Sequence, residues 1–267
     1  MIGESVAILG GLTALGISAR WNWWRLPVAG LPILMYHKVG DPPPGSRLKK
    51  LWVSTNEFRW QVNYLKTRGY EPMTLRHVAE GVEAGHALPR TAVVLTFDDG
   101  YRNNLENALP VLSAAGFPAT LYVVVDAVGR ENFWHDPSTE VRLPMLSWEE
   151  ILVLRDAGWD IGSHTLTHPR LTRLSSEEAQ NEIRESRRIL EAKLGAPPVS
   201  FAHPYGDGAD HIGIRRMIQE AGYRTAVSVH RGKGDLREFL CLKRIFVRGD
   251  DTRWDFHLNL TRGQARF

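Results

Sequence analysis

The 267-residue chain predicts an α/β fold: a distorted or incomplete (β/α) barrel of parallel strands, preceded by a hydrophobic N-terminal helix. Three observations carry that expectation. Short β-branched or apolar runs alternate with segments of helical period, serine and glutamate stand three residues apart where helical segments begin, and glycines fall where they should stop. Seven strand-like runs over about 220 residues fall slightly short of the ~250 residues of an ordinary eight-fold barrel. An open doubly wound sheet is the alternative.

Composition narrows the classes. Apolar residues make up 43% of the chain, and nine Trp, nine Phe and seven Tyr supply a sizeable core, which excludes a disordered or low-complexity chain. The net charge of +3 gives no reason to expect a nucleic-acid partner. Cys241 is the single cysteine, so no internal disulfide or thiolate cage can form, and a metal would have to rest on His or carboxylate ligands. With Phe239, Leu240 and Leu242 beside it, Cys241 reads as a core thiol.

Residues 1–30 form the first unit. Ile2 to Ala19 is mostly apolar, and Arg20, Trp21, Trp23, Trp24 and Arg25 follow at once, as at the interfacial end of a membrane anchor. Residues 2–25 are therefore expected to contact a membrane, and the protein to be membrane-associated in the cell envelope, on either side. A helix packed on the domain is the alternative; a cleaved signal peptide fits less well, because no basic residue precedes Arg20.

Residues 31–267 form one domain. The strands are expected at 32–37, 92–97, 119–125, 159–164, 199–204, 224–229 and 240–247. Ser54 with Glu57, Ser147 with Glu150 and Ser175 with Glu178 have capping-box spacing, and Gly69, Gly116, Gly158, Gly195 and Gly222 mark helix ends.

The polar residues gather at strand ends, where a parallel barrel assembles its chemistry. TFDDG puts Asp98 and Asp99 directly after an apolar strand, although a solubilising turn has the same composition. DIGSHTLTHP carries His164 and His168 four residues apart, a spacing that lets two imidazoles face one divalent ion. The residues between them are Thr165, Leu166 and Thr167, so a general base must come from elsewhere, and the aspartates can supply both that base and a third ligand. His37 ends the first barrel strand. AHPYG places Tyr205 in a bend able to present its backbone N–H to an oxyanion.

Together these residues resemble the polysaccharide deacetylase family, the NodB-homology carbohydrate esterases, over about Leu31 to Val247. TFDDG resembles the family's first motif, which implies a base at Asp98 and a metal ligand at Asp99. SHTLTH resembles the second, which implies metal ligands at His164 and His168. AHPYG resembles the third, but Ala202 or His203 stands where the family has an arginine that orients the catalytic aspartate. That departure and the opening PILMYHKVG are similar to the poly-N-acetylglucosamine deacetylase branch, which implies that His37 is the general acid; His230 in VSVHRG is a weaker rival. Arg244 is the candidate to replace the missing arginine and hold Asp98.

The resemblance implies a hydrolase that removes acetyl groups from N-acetylated sugar units of an oligo- or polysaccharide, with zinc, cobalt or nickel as its divalent ion. Two other readings keep the fold: a membrane-anchored carbohydrate-binding protein with a degenerate site, and an enzyme acting on O-acetyl or other C–N bonds. Trp134 and Trp148 are candidate sugar-stacking aromatics, although Trp148, at a helix start, fits a core position equally well.

Overall fold

The computed structural model describes residues 26–138 and 140–266; the expected anchor at 2–25 lies outside them. Among the described residues no helix is long and apolar enough to cross a membrane. The strands in chain order are β1 (Ile33–Tyr36), β2 (Lys38–Val39), β3 (Trp52–Val53), β4 (Glu71–Met73), β5 (Ala92–Phe97), β6 (Thr120–Val123), β7 (Asp160–Ser163), β8 (Ser200–Ala202), β9 (Thr225–Arg231) and β10 (Leu242–Phe246). Seven of them close a barrel. The order is β1-β10-β9-β8-β7-β6-β5, and β1 also pairs with β5, all in parallel. Closure excludes the open doubly wound sheet. The short strand β4 lies against the first half of β5, and β2 with β3 forms a separate parallel pair.

All seven expected barrel strands are present: β5 matches its expected range, β9 starts one residue later and runs two residues further, and the other five are shorter. β8 stops at Ala202, because Pro204 and the turn after it leave the ladder. Helices α1 (Thr55–Thr67), α2 (Leu75–Glu83), α3 (Leu109–Ala115), α4 (Trp148–Asp156), α5 (Ser176–Leu194), α6 (Ile212–Glu220) and α7 (Arg253–Arg262) connect or flank the strands. Ser147–Glu150 and Ser175–Glu178 form complete reciprocal capping boxes, and Ser54 accepts the Glu57 N–H. Gly116 and Gly195 end α3 and α5 in the left-handed conformation.

Alternation along the strands separates two environments. Leu34, Tyr36, Val93, Leu95 and Phe97 face outward to the helices in the main core, whereas Ile33, Val94, Tyr122, Ala202, Val227 and Leu242 pack together inside the barrel. Gly162 on β7 is required there: a Cβ would stand 2.7 Å from the Tyr122 ring and 2.7 Å from the Ser200 carbonyl. Carried up each strand by the two-residue period, the inward column becomes polar. Above Val94 come Thr96 and Asp98, above Leu242 comes Arg244, and above Gly162 comes His164.

Candidate active site

The register aligns the first two functional groups. Tyr36 pairs with Phe97, and the Asp98 N–H donates to the Tyr36 carbonyl at 3.0 Å, so His37 and Asp98 leave adjacent strands at one level. Asp99, one residue further, should by strict alternation point away. Its backbone instead adopts φ of 76°, followed by Gly100 at 88°, and this turn brings the second carboxylate to the same side. The non-glycine residues with positive φ among those described are Asp99, Thr165, His168 and Tyr205, all in loops at the carboxyl end of the barrel. Backbone strain of this kind persists only where the surroundings enforce it.

Asp99, His164 and His168 form a buried trio. His164 Nε2 and His168 Nε2 lie 3.5 and 3.4 Å from the same oxygen, Asp99 Oδ1. His164 Nδ1 donates to the Ala202 carbonyl at 2.8 Å, since that oxygen can only accept, and this leaves Nε2 as the nitrogen aimed at the carboxylate. Burial is the main force lowering His168, to about 4, so its ring is neutral at physiological pH. Two imidazoles and a carboxylate converging on one point have the chemistry of a divalent-cation site. Burial pushes Asp99 up, but bonding from the two histidines overrides it and holds the carboxyl well below its usual range.

Asp98 has a different partner. Arg244 is fully buried on β10 and grips Asp98 with both ends of its guanidinium, Nη1 to Oδ1 at 2.6 Å and Nη2 to Oδ2 at 2.7 Å. Thr96 Oγ1 and the Ser228 carbonyl accept its remaining bonds at 3.1 and 2.9 Å. The expected contact between Arg244 and Asp98 is therefore present. Burial raises Asp98, yet the charge and hydrogen bonds of Arg244 leave it below the usual carboxylate value and ionised. His37 is packed edge-on to Phe246 at 5.8 Å; burial lowers its pKa, while Asp98 and Asp99 pull it upward.

The walls are aromatic. Trp134 stacks on His168 at 4.8 Å, and the Tyr205 ring meets His168 edge-on at 4.5 Å. Tyr205 has φ of 57°, and its N–H takes no part in the two bonds that close its turn, Gly206 to His203 and Asp207 to Pro204. Trp148, in contrast, packs against the main core with Lys193 over its ring, and so is no rim residue. His230 Nε2 lies 3.1 Å from Asp210 Oδ2 and is not part of the trio.

Three supporting residues escape sequence reasoning. Glu182 on α5 accepts the Leu166 and Thr167 N–H groups at 2.9 and 3.0 Å and the Thr167 hydroxyl at 2.7 Å, fixing the loop between the two histidines. Tyr101 presents a buried hydroxyl, raised by burial and by Asp99. Lys38, fully buried, has its ammonium 4.6 Å from the Tyr101 ring centre and 3.9 Å from Glu140. Glu182 lies in the acidic run SEEAQNE, whose composition is that of any solvated helix face.

Comparison with known proteins agrees with the fold. The profile of the polysaccharide deacetylase family matches residues 85–226. The poly-β-1,6-N-acetyl-D-glucosamine N-deacetylase of Escherichia coli is 24% identical over 261 residues, covering 86% of this chain but 38% of that protein. The Staphylococcus epidermidis protein of the same name is 28% identical over 192 residues, 65% of this chain and 64% of its own. The chain therefore spans less than two thirds of either relative. A crystal structure of a polysaccharide deacetylase from Bacillus cereus superposes with a TM-score of 0.72 at 28% identity, covering 87% of this chain and 69% of that one.

Proposed function

The chain belongs to the polysaccharide deacetylase family, and from that premise we propose that it hydrolyses the N-acetyl groups of a glucosamine-containing polymer, using a divalent cation held by Asp99, His164 and His168. Zinc fits this nitrogen and oxygen donor set, with cobalt or nickel as substitutes. When bound, such a cation polarises the acetyl carbonyl and acidifies a water.

The protein's own groups divide the remaining work. Asp98, ionised and oriented by Arg244, takes the proton of the attacking water. The Tyr205 N–H donates to the carbonyl oxygen as it gains negative charge. Nitrogen cannot leave as an amide anion at neutral pH, so it needs a proton, and His37 supplies it. The balance is one amide and one water giving acetate and a free amine. Trp134 and Tyr205 offer faces on which a sugar ring can stack.

The observation that carries this reading is the pairing of two environments on adjacent carboxylates: Asp99 against two imidazole nitrogens, Asp98 against one guanidinium. The names of the E. coli and S. epidermidis relatives favour an N-acetylglucosamine polymer. The test is acetate release from poly- and oligo-N-acetylglucosamine with and without a chelator. Release that stops with the chelator and returns on adding zinc is expected; equal release in both conditions removes the cation from the proposal, and none on any acetylated glycan removes the activity. We place the protein at a membrane of the cell envelope through residues 2–25, which fractionation of the full chain against one starting at residue 26 checks.

A further inference from the structure

A second group of ligand-type side chains lies away from the catalytic trio, on the outside of the turn that carries Tyr205. Asp210 ends that loop just before α6, His230 sits near the end of β9, and Cys241 precedes β10. Cys241 Sγ lies 3.9 Å from His230 Nδ1 and 4.0 Å from Asp210 Oδ1, and His230 Nε2 lies 3.1 Å from Asp210 Oδ2. One ligand atom from each residue falls within 4.8 Å of the other two.

We propose that Asp210, His230 and Cys241 form a second cation site, selective for a zinc-class divalent ion and distinct from the catalytic trio. Sulfur, nitrogen and oxygen together match zinc and cobalt and disfavour magnesium and calcium, which demand oxygen. Zinc bonds of about 2.0–2.3 Å place tetrahedral ligand atoms roughly 3.3–3.7 Å apart. The 3.9 and 3.1 Å approaches use different nitrogens of the His230 ring, so with one nitrogen as donor the ligand atoms, all within 4.8 Å of one another, must close by up to about an ångström. The exposed Asp210 side chain can supply that movement, giving up its contact with His230 and its 3.8 Å contact with Arg215. Three protein ligands leave the fourth position to water.

The same three residues could instead suggest a thiol nucleophile with a His–Asp pair. Burial raises the Cys241 thiol, which leaves it protonated and unreactive. A cation reverses that by binding the thiolate directly. The consequence is mechanical. Gly206 already packs so tightly on Val229 that a Cβ would meet it at 2.3 Å, and Asp207 holds Thr172 at 2.7 Å. An ion at Asp210 would tie the far end of the same loop to β9 and β10, bracing the Tyr205 turn from outside.

Cobalt titration of the chelator-treated full chain tests this directly, because Cys241 is the chain's single cysteine. Two equivalents should bind, one of them with a near-ultraviolet thiolate-to-cobalt charge-transfer band. Cys241→Ser should lose that band and one equivalent, and Asp210→Asn should weaken the same equivalent by about tenfold or more, as loss of a ligand does. Zinc should also protect the wild-type thiol from a disulfide reagent. A saturated protein with no charge-transfer band, or a thiol that reacts equally with and without zinc, overturns the proposal. The band reports on sulfur alone, so the result is read independently of whether the trio turns over substrate.

Discussion

The two ligand clusters are built by opposite means. Asp99, His164 and His168 are held by backbone: each stands at or just beyond a strand end, two have φ above 60°, and carbonyl and carboxylate partners lock the segments around them. Asp210, His230 and Cys241 come from a loop, from β9 and from the residue before β10, with the carboxylate exposed to solvent. Burial and strain give the first cluster its geometry before any ligand arrives, whereas the second must close around its ion. Reaction chemistry needs the first kind of site, since groups misplaced by an ångström lose most of their effect. The second kind suits an ion that braces.

The comparison breaks most visibly at Asp98. If the preformed end of the barrel is the reactive one, Asp98→Asn should lower acetate release by about 10²–10⁴, the usual cost of removing a general base, while the amide oxygen still accepts from Arg244 and preserves the fold. Steady-state turnover on acetylated glucosamine oligomers decides it; wild-type turnover in a folded variant rejects Asp98 as the base. Next in size is Arg244→Ala. It strands a buried carboxylate and should cost about 3–5 kcal/mol in denaturant unfolding. Replacing both partners with Met and Leu should restore most of that stability without restoring turnover. A double variant as unstable as the sum of the single ones would mean that Arg244 and Asp98 are not energetically coupled.

These contrasts explain what could be read from the sequence. The seven barrel strands are legible because runs of six to eight residues, β-branched or apolar in character, recur with helix signals between them. β2 and β3, two residues each, and β4, with Pro72 at its centre, offer no such pattern. Asp98 with Asp99 and His164 with His168 announced themselves by adjacency in the chain. Arg244 was reachable only because a resemblance left a gap that some cation had to fill. Glu182 and Lys38 act through distant loops, and local composition cannot reveal that partner. Cys241 read as a core thiol, which its burial supports, but the approach of Asp210 and His230 depends on how β9 and β10 pair, with an irregular register between Leu242 and Arg244.

A smaller effect sharpens the distinction between a buried histidine environment and an exposed one. Burial holds His168 and His203 at about 4, whereas an unfolded imidazole takes its proton near 6.5. Between those values the unfolded chain binds more protons, so metal-free stability should be intact above about pH 6.5 and fall as the pH drops toward 4. Each residue contributes up to about 3 kcal/mol, at 1.36 kcal/mol per pH unit. Urea midpoints measured across this window should show the slope, with one share missing in His203→Gln. A flat profile in the metal-free protein would mean that these rings accept protons in the native state as readily as in water.

The gentlest change asks whether the first cluster needs its support at all. Glu182 touches no ligand atom, yet its carboxylate gathers three donors from Leu166 and Thr167, between the two histidines. Glu182→Gln keeps the shape and one acceptor but forfeits the charge, which strengthens each such bond. The expected cost is on the order of 1–2 kcal/mol in stability. Cation affinity should fall by about 10–100-fold with all three proposed ligands intact, the range seen when a group behind a ligand is lost. Competition with a chromophoric chelator measures that affinity separately from the melt. If stability drops while affinity holds, the left-handed backbone at Thr165 and His168 alone keeps the imidazoles aimed. If both drop together, the loop is a spring held under load by Glu182, and the rigid cluster owes its rigidity to a residue on the outer helix.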